Sequence, residues 1–305
     1  MIIKKLDIPW DLKLERYLFW RGGLSGEDKR QYLNDEKGFE GELKFFKLLK
    51  DLPASNSLIL AGLLLRRNGR LFQIDFIIIL QNKIYLIDVK NFEGDFYIER
   101  DRWYSFSGTE IDNPVYQLQR AEAQLRQLLQ SHGVKLPIES RVVFINSAFS
   151  LFQASKNLPI ILPTQLDRFI KNLMMIISRP SKAQMELAKK LASWHITKSP
   201  FNHVPNYTFE ALKKGAYCAS CHTFSLKLIS RQLVCQRCGC IETLESAVMR
   251  SVEELHALFP ERNITVSAIA EWCGLDVDSR RILRILQKNL TMVNNGRYTY
   301  YVYPK

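Results

Sequence analysis

The stretch IYLIDVKNFEG, residues 84–94, sets an acidic and a basic side chain two positions apart in an otherwise apolar run. Side chains along a strand alternate faces with period two, so Asp88 and Lys90 share a face. Upstream, LFQIDFIIIL at 71–80 puts Asp75 in a second β-prone run, joined to the first near Gln81-Asn82-Lys83. A two-residue turn at Asn82-Lys83, or a four-residue turn from Gln81 to Ile84, sets Asp75 opposite Lys90. A three-residue turn sets it against Val89 and breaks the cluster.

A third carboxylate comes from the segment before these strands. Phe39, Glu42, Phe46 and Leu49 share one helical face, so Glu42 sits in an apolar stripe, while Glu40 falls beside Lys44 and Lys47 and reads as solvated. An uncompensated carboxylate in such a stripe costs on the order of several kcal/mol. A divalent cation held by Glu42, Asp75 and Asp88 meets the need. Hard Mg²⁺ or Mn²⁺ prefers carboxylate and water oxygens, lowers the pKa of bound water and polarises a phosphate. A lysine beside it orients or deprotonates the attacking water, or offsets charge building on the phosphate. Spacing alone leaves a second reading open, in which Asp75, Asp88 and Lys90 form a structural ion pair and Glu42 reaches solvent.

A second constellation is made of thiols. Five of the six cysteines fall within residues 218–240, and the sixth is Cys273 in an apolar helical stretch. CASC at 218–221 and CQRCGC at 235–240 give two C-x2-C pairs separated by 13 residues. Cys218, Cys221, Cys235 and Cys238 at this spacing suit tetrahedral structural Zn²⁺, with FSLKLISRQLV forming the hairpin between the knuckles. Cys240 is an alternative to Cys238, and His222 reads as an exposed turn residue.

Elements that position these groups follow from periodicity and breakers. Helices are expected over 11–20, 37–51, 113–133, 164–173 and 181–195, with strands over 57–70, 71–80, 83–92, 95–106 as a pair, and 140–149. ITKSPFNHVPNYTFEALKKGA at 196–216 loses periodicity and reads as a linker. Beyond the cysteines, SVEELHALFP, ITVSAIAEWCGL and DVDSRRILRILQKN read as three helices, followed by a hairpin around Asn295-Gly296. This order resembles a winged helix. Ile282, Leu283, Ile285 and Leu286 then pack inward, while Arg281, Arg284 and Lys288 line a face suited to a DNA groove and Arg297 in the wing suits phosphates. Winged helices also dock proteins, so a protein partner through this module or the ribbon stays open.

Composition is that of ordinary globular protein, with 47% hydrophobic and 24% charged residues. The formal net charge of +12 favours a polyanionic partner and is not gathered in a basic tail. No apolar run approaches the roughly 20 residues of a membrane span, and no signal peptide is evident, so a cytoplasmic location and no membrane partner are expected.

GFEGE, QIDFIIIL, IYLIDVKNFEG, Trp103 and NPVYQLQRAEAQLRQLL, in this order, resemble the successive motifs of the NERD (nuclease-related) domain of the PD-(D/E)xK nuclease-like superfamily. RVVFINSAF and ILPTQLDRFI extend the likeness to about residue 173. The resemblance implies a restriction-endonuclease-like sheet core. It assigns Glu42 to the helical acidic position, Asp75 to the metal-binding aspartate, Asp88 and Lys90 to the (D/E)-x-K pair, and Gln117 to the polar position of the following helix. Asp88 stands where the family often has Glu.

The expectation is an α/β fold: an N-terminal helical extension (1–35), a NERD nuclease-like domain (36–195), a linker (196–216), a zinc ribbon (217–243) and a winged-helix-like domain (244–305). The expected function is a Mg²⁺- or Mn²⁺-dependent nuclease acting on DNA. The alternative is a non-catalytic DNA-binding or assembly protein that uses the same fold.

Overall fold

A computed structural model describes residues 1–53, 56–176, 179–198, 205–295 and 298–304. Its elements in chain order are β1 (Ile2–Lys4), α1 (Trp10–Trp20), α2 (Gly26–Leu49), β2 (Leu58–Arg67), β3 (Arg70–Ile79), β4 (Ile84–Lys90), β5 (Gly94–Glu99), β6 (Arg102–Ser105) and β7 (Glu110–Ile111). There follow α3 (Pro114–Ser131), β8 (Ile138–Phe144), β9 (Phe149–Phe152), β10 (Ile160–Ile161), α4 (Pro163–Met175) and α5 (Lys182–Ser193). The last are β11 (Leu226–Ile229), β12 (Gln232–Cys235), β13 (Ile241–Thr243), α6 (Leu244–Leu258), α7 (Val266–Cys273), α8 (Ser279–Asn289), β14 (Thr291–Asn295) and β15 (Tyr298–Val302). The chain divides into two compact units, Met1–Trp10 with Leu33–Asn202, and Asp11–Tyr32 with His203–Lys305. Among the described residues no helix is long and apolar enough to cross a membrane.

The first unit is a mixed α/β domain. Its six-stranded sheet runs in the order β1-β2-β3-β4-β8-β10. The β2-β3-β4 meander is antiparallel, and β8 and β10 add in parallel. The β4-to-β8 connection passes through β5, β6, β7 and α3, and β9, after β8, completes a smaller sheet in the order β7-β6-β5-β9. Residues of β4 divide between two cores as alternation requires. Ile84 and Leu86 join α3 and α5 on one side, and Tyr85, Ile87 and Val89 join α2 and α4 on the other.

The β2-β3 pair breaks that alternation. Leu58 and Leu60 share a core with Leu63 and Leu65, and Ile77 and Ile79 share it with Ile74, although the pairing keeps one register from Leu58↔Ile79 to Arg67↔Arg70. The faces change over at Gly62, at φ +59°, level with Asp75. Both strands bend there, and Asp75 lies in the two-residue step between the faces. A left-handed φ favours glycine at position 62.

The second unit comprises a three-stranded antiparallel sheet, β11-β12-β13, helices α6, α7 and α8, and the hairpin β14-β15. Its centre holds a charge pair. Arg21, 1% exposed, donates from Nε to Glu254 Oε1 at 2.8 Å and from Nη2 to Oε2 at 2.5 Å, with Nη1 on the Lys213 carbonyl. Trp272 Nε1 donates to the same carboxylate at 3.2 Å, and the guanidinium lies 3.8 Å from the centre of the Trp272 ring. A bidentate, multiply bonded pair offsets its desolvation; a broken one leaves a bare buried charge. Arg21→Met is therefore expected to lower the stability of this unit by about 3–5 kcal/mol. Arg21→Met combined with Glu254→Leu should recover most of the loss. Urea unfolding followed by tryptophan fluorescence checks both, and a single-variant loss near the ~1 kcal/mol of a surface pair would contradict the argument.

Candidate active site and candidate metal centre

Glu42, Asp75, Asp88 and Lys90 converge where α2 meets the bend of the large sheet. The β3-β4 ladder ends at Phe76↔Ile87, and Asp75 Oδ2 accepts the next free N–H, from Val89, at 2.7 Å. The Lys90 ammonium bonds Asp88 Oδ1 at 3.1 Å and stands 3.0 Å from Oδ2, both side chains being less than one-fifth exposed. The register differs from expectation: the turn occupies Gln81-Asn82, with Leu80 N–H bonded to the Lys83 carbonyl, so Asp75 stands level with Asp88 rather than Lys90. A shift of two residues preserves the face, which is why the cluster forms all the same.

Glu42 enters from α2. Phe39, Phe46 and Leu49 on its stripe are buried, Glu42 is half-buried among them, and Glu40 is exposed. Gly41 makes this approach possible: a Cβ there would stand 2.7 Å from Asn91 Cβ and 3.2 Å from Ile145 Cγ2. Asn91, 6% exposed, fastens the helix by donating from Nδ2 to the Lys37 carbonyl at 2.7 Å. Gly41→Ala should push α2 outward and displace Glu42. A misplacement of about 1 Å costs a catalytic group up to ~10²-fold, so if this cluster is catalytic a single-turnover assay should show a loss of that order in a folded protein. Unchanged turnover would mean that Glu42 does not act.

Burial, then the charges of Asp75 and Asp88, push the Glu42 carboxyl up to about 9. Burial and the charge of Asp88 push Asp75 up to about 7, against the pull of Lys90 and the Val89 N–H. Asp88 is also raised, by burial, with Lys90 opposing. Burial pulls Lys90 down, but Asp88 and Asp75 outweigh it and hold the ammonium above its ordinary value. Glu42 Oε2 and Asp88 Oδ2 are buried without a directed hydrogen bond among the described residues, as is Asn91 Oδ1. Crowded buried carboxylates are the hard-oxygen donors a divalent cation takes, with Glu42 Oε2 unbonded and Asp88 Oδ2 met by the Lys90 ammonium, but among the described residues only the cysteines below gather their ligand atoms within 4.8 Å.

A pH dependence follows. Groups whose folded pKa is raised stabilise the fold fully below their unfolded values, about 4, and that contribution is lost as pH rises through the folded values, about 7 and about 9. In buffer free of Mg²⁺ and Mn²⁺, the melting temperature of the first unit should fall from pH 5 to pH 9. Added Mn²⁺, or Glu42→Gln, should flatten the fall. A flat profile without metal would show that the carboxylates do not crowd.

Gln117, in the second turn of α3, is half-buried, and no described interaction ties it to the carboxylates.

The four thiols Cys218, Cys221, Cys235 and Cys238 form the second centre, their sulfurs lying within 4.8 Å of one another. Cys218–Cys238 and Cys221–Cys235 are each 3.6 Å apart, close to the ~3.8 Å implied by tetrahedral Zn–S bonds of about 2.3 Å. Ser220 N–H donates to Cys218 Sγ and Arg237 N–H to Cys235 Sγ, and backbone N–H groups pull the Cys235 thiol down to about 6. This cluster could hold a metal ion such as Zn²⁺. Cys240 lies outside the cluster, and Cys273 is fully buried. His222 is half-buried rather than exposed, stacked on Trp20 with ring centres 3.8 Å apart.

Of the helix cations, Arg281 donates to the Ser230 carbonyl at 2.9 Å, and Lys288 pairs with Glu245 at 2.8 Å. Arg284 is exposed, as is Arg280 one turn before it. Ile282 and Leu286 are buried, whereas Leu283 and Ile285 are only half-buried. Leu283 lines a cavity of about 570 Å³ with Ser279, Gln287, Thr265 and Tyr301. Arg297 lies outside the described residues.

These features define the first unit as a mixed α/β domain with a carboxylate–ammonium cluster set at a sheet bend. Residues 37–145, from α2 to just beyond β8, match the family model of the nuclease-related domain (NERD). No curated protein and no solved structure matches the chain.

Proposed function

We propose that the chain is a divalent-metal-dependent nuclease of restriction-endonuclease-like type that hydrolyses phosphodiesters in DNA. The observation that carries this reading is the convergence of Glu42, Asp75, Asp88 and Lys90 at one bend, with Glu42 Oε2 buried and without a hydrogen bond. The match of residues 37–145 to the nuclease-related domain supports it. Glu42, Asp75 and Asp88 would hold Mg²⁺ or Mn²⁺, which supplies Lewis acidity toward the phosphate and a lowered pKa for bound water. Lys90, held cationic by the two aspartates, orients the attacking water and offsets charge on the phosphate rather than taking a proton. Asp75 also fixes the end of β4 through the Val89 N–H, and Gly41 with Asn91 sets the depth of Glu42.

The second unit would deliver the domain to DNA. Helices α6, α7 and α8, the β14-β15 hairpin and the Ile264↔Tyr301 bridge beside it support a winged-helix reading, and the four-cysteine cluster supports a zinc ribbon. With Arg281 and Lys288 engaged within the protein, Arg284 and the neighbouring Arg280 are the cations of α8 best placed for phosphates. The test is incubation with linear, circular and single-stranded DNA and with RNA, with Mg²⁺, with Mn²⁺ and without either. Metal-dependent cleavage of DNA supports the proposal; binding without cleavage in every condition favours a non-catalytic DNA-binding protein.

A further inference from the structure

The small sheet of the first unit has two unlike faces. Its inner residues Phe96, Ile98, Trp103, Ile111 and Leu151 pack on the α3 core. Its outer face is solvent-facing yet aromatic. Cross-strand partners share a face, and the pairings Tyr97↔Tyr104 and Tyr97↔Phe152 put three rings in a row across β6, β5 and β9. The Tyr97 and Tyr104 rings stack with centres 5.3 Å apart. Phe106, just beyond β6, lies 6.3 Å from Phe152. Phe106 is 72% exposed and Phe152 50%, well beyond what a satisfied cross-strand pair would leave open. A contiguous apolar patch of this kind marks an interaction surface.

Charge selects the occupant. The other outward positions carry Asp95, Glu99 and Glu110 against the single cation Arg102, which is itself paired with Glu110 at 3.3 Å. At the β5-β6 turn, Arg100 and Asp101 cancel. This face is thus acidic on a chain of net charge +12. Phosphates would be repelled from it, whereas a guanidinium or ammonium gains both a π-face and a carboxylate. We propose that this sheet face docks an Arg/Lys-rich segment of a protein partner, with cationic side chains laid over Tyr97, Tyr104, Phe152 and Phe106 and paired to Asp95 and Glu99. The surface is separate from the carboxylate–lysine cluster and does not depend on cleavage.

The probes are a fluorescein-labelled Arg-Gly repeat peptide, its Glu-Gly counterpart and a labelled oligothymidylate, each titrated against the full-length protein by fluorescence anisotropy. The Arg-Gly peptide should bind, the Glu-Gly peptide should not, and added salt should weaken binding. Phe106→Ser with Phe152→Ser should weaken it at least ~10-fold, as should Asp95→Lys with Glu99→Lys, both at exposed positions that leave the melting temperature unchanged. Oligothymidylate affinity should be untouched by the aromatic pair. The proposal is overturned by absent Arg-Gly binding, by affinity unchanged in either double variant, or by a selective loss of oligothymidylate binding, which would make the face a base-stacking platform instead.

Discussion

Asp75→Ala and Lys90→Ala should each lower the proposed metal-dependent DNA cleavage by at least about 10²-fold, while leaving a folded protein. The two losses have different causes. Asp75 fastens β4 through the Val89 N–H and is a proposed ligand, so its removal should weaken divalent binding, and excess Mn²⁺ should rescue part of the rate. Lys90 would not itself ligate the cation, although it bonds the proposed ligand Asp88. Its removal takes away a fixed positive charge at the reacting phosphate, an effect of about 10²–10³-fold for a single positioned donor, and excess metal should not restore it. Measured turnover against Mn²⁺ concentration separates the two. Equal rescue of both would place Lys90 in metal binding alone. Full activity of both would remove the active site from this cluster.

With zinc as the proposed occupant of the four-cysteine cluster, Cys218→Ser should release it and unfold the segment around β11-β12-β13. The hydrophobic content of those strands is small: of their residues only Leu233 and Cys235 are buried. Apparent zinc-binding free energies of about 10–16 kcal/mol in comparable peptides are then most of what holds the strands together. Zinc content by chromogenic release, with limited proteolysis, reads the outcome. Cleavage should appear within residues 217–243, and residues 33–198 should stay protected with their metal-dependent chemistry intact. Retained zinc and unchanged proteolysis would move the ligand role to Cys240 or elsewhere.

The polar site was legible because local rules dictate it. Period two puts Asp88 beside Lys90, and the stripe through Phe39, Phe46 and Leu49 turns Glu42 inward. The hairpin register was not, because Asn82 serves equally well in either turn and a two-residue slip leaves every face unchanged. Neither was the first half of α2: residues 26–36, GEDKRQYLNDE, carry helix formers on nearly every side and no apolar stripe to announce a helix. An amphipathic pattern says that Arg281 and Lys288 avoid the core. It does not say whether they meet water, Ser230 or Glu245. The Arg21–Glu254 pair left no trace, since nothing local binds residues so far apart in sequence.

That separation sets an order of assembly. Arg21 leaves the ribosome 233 residues ahead of Glu254. At about 5–20 residues per second the guanidinium waits some ~10–50 s for its carboxylate, with the whole span 33–202 synthesised in between. The six-stranded sheet can therefore close while Asp11–Tyr32 is still an unclaimed tether. The module that would bring it to DNA is completed after that sheet, with a segment made before most of it.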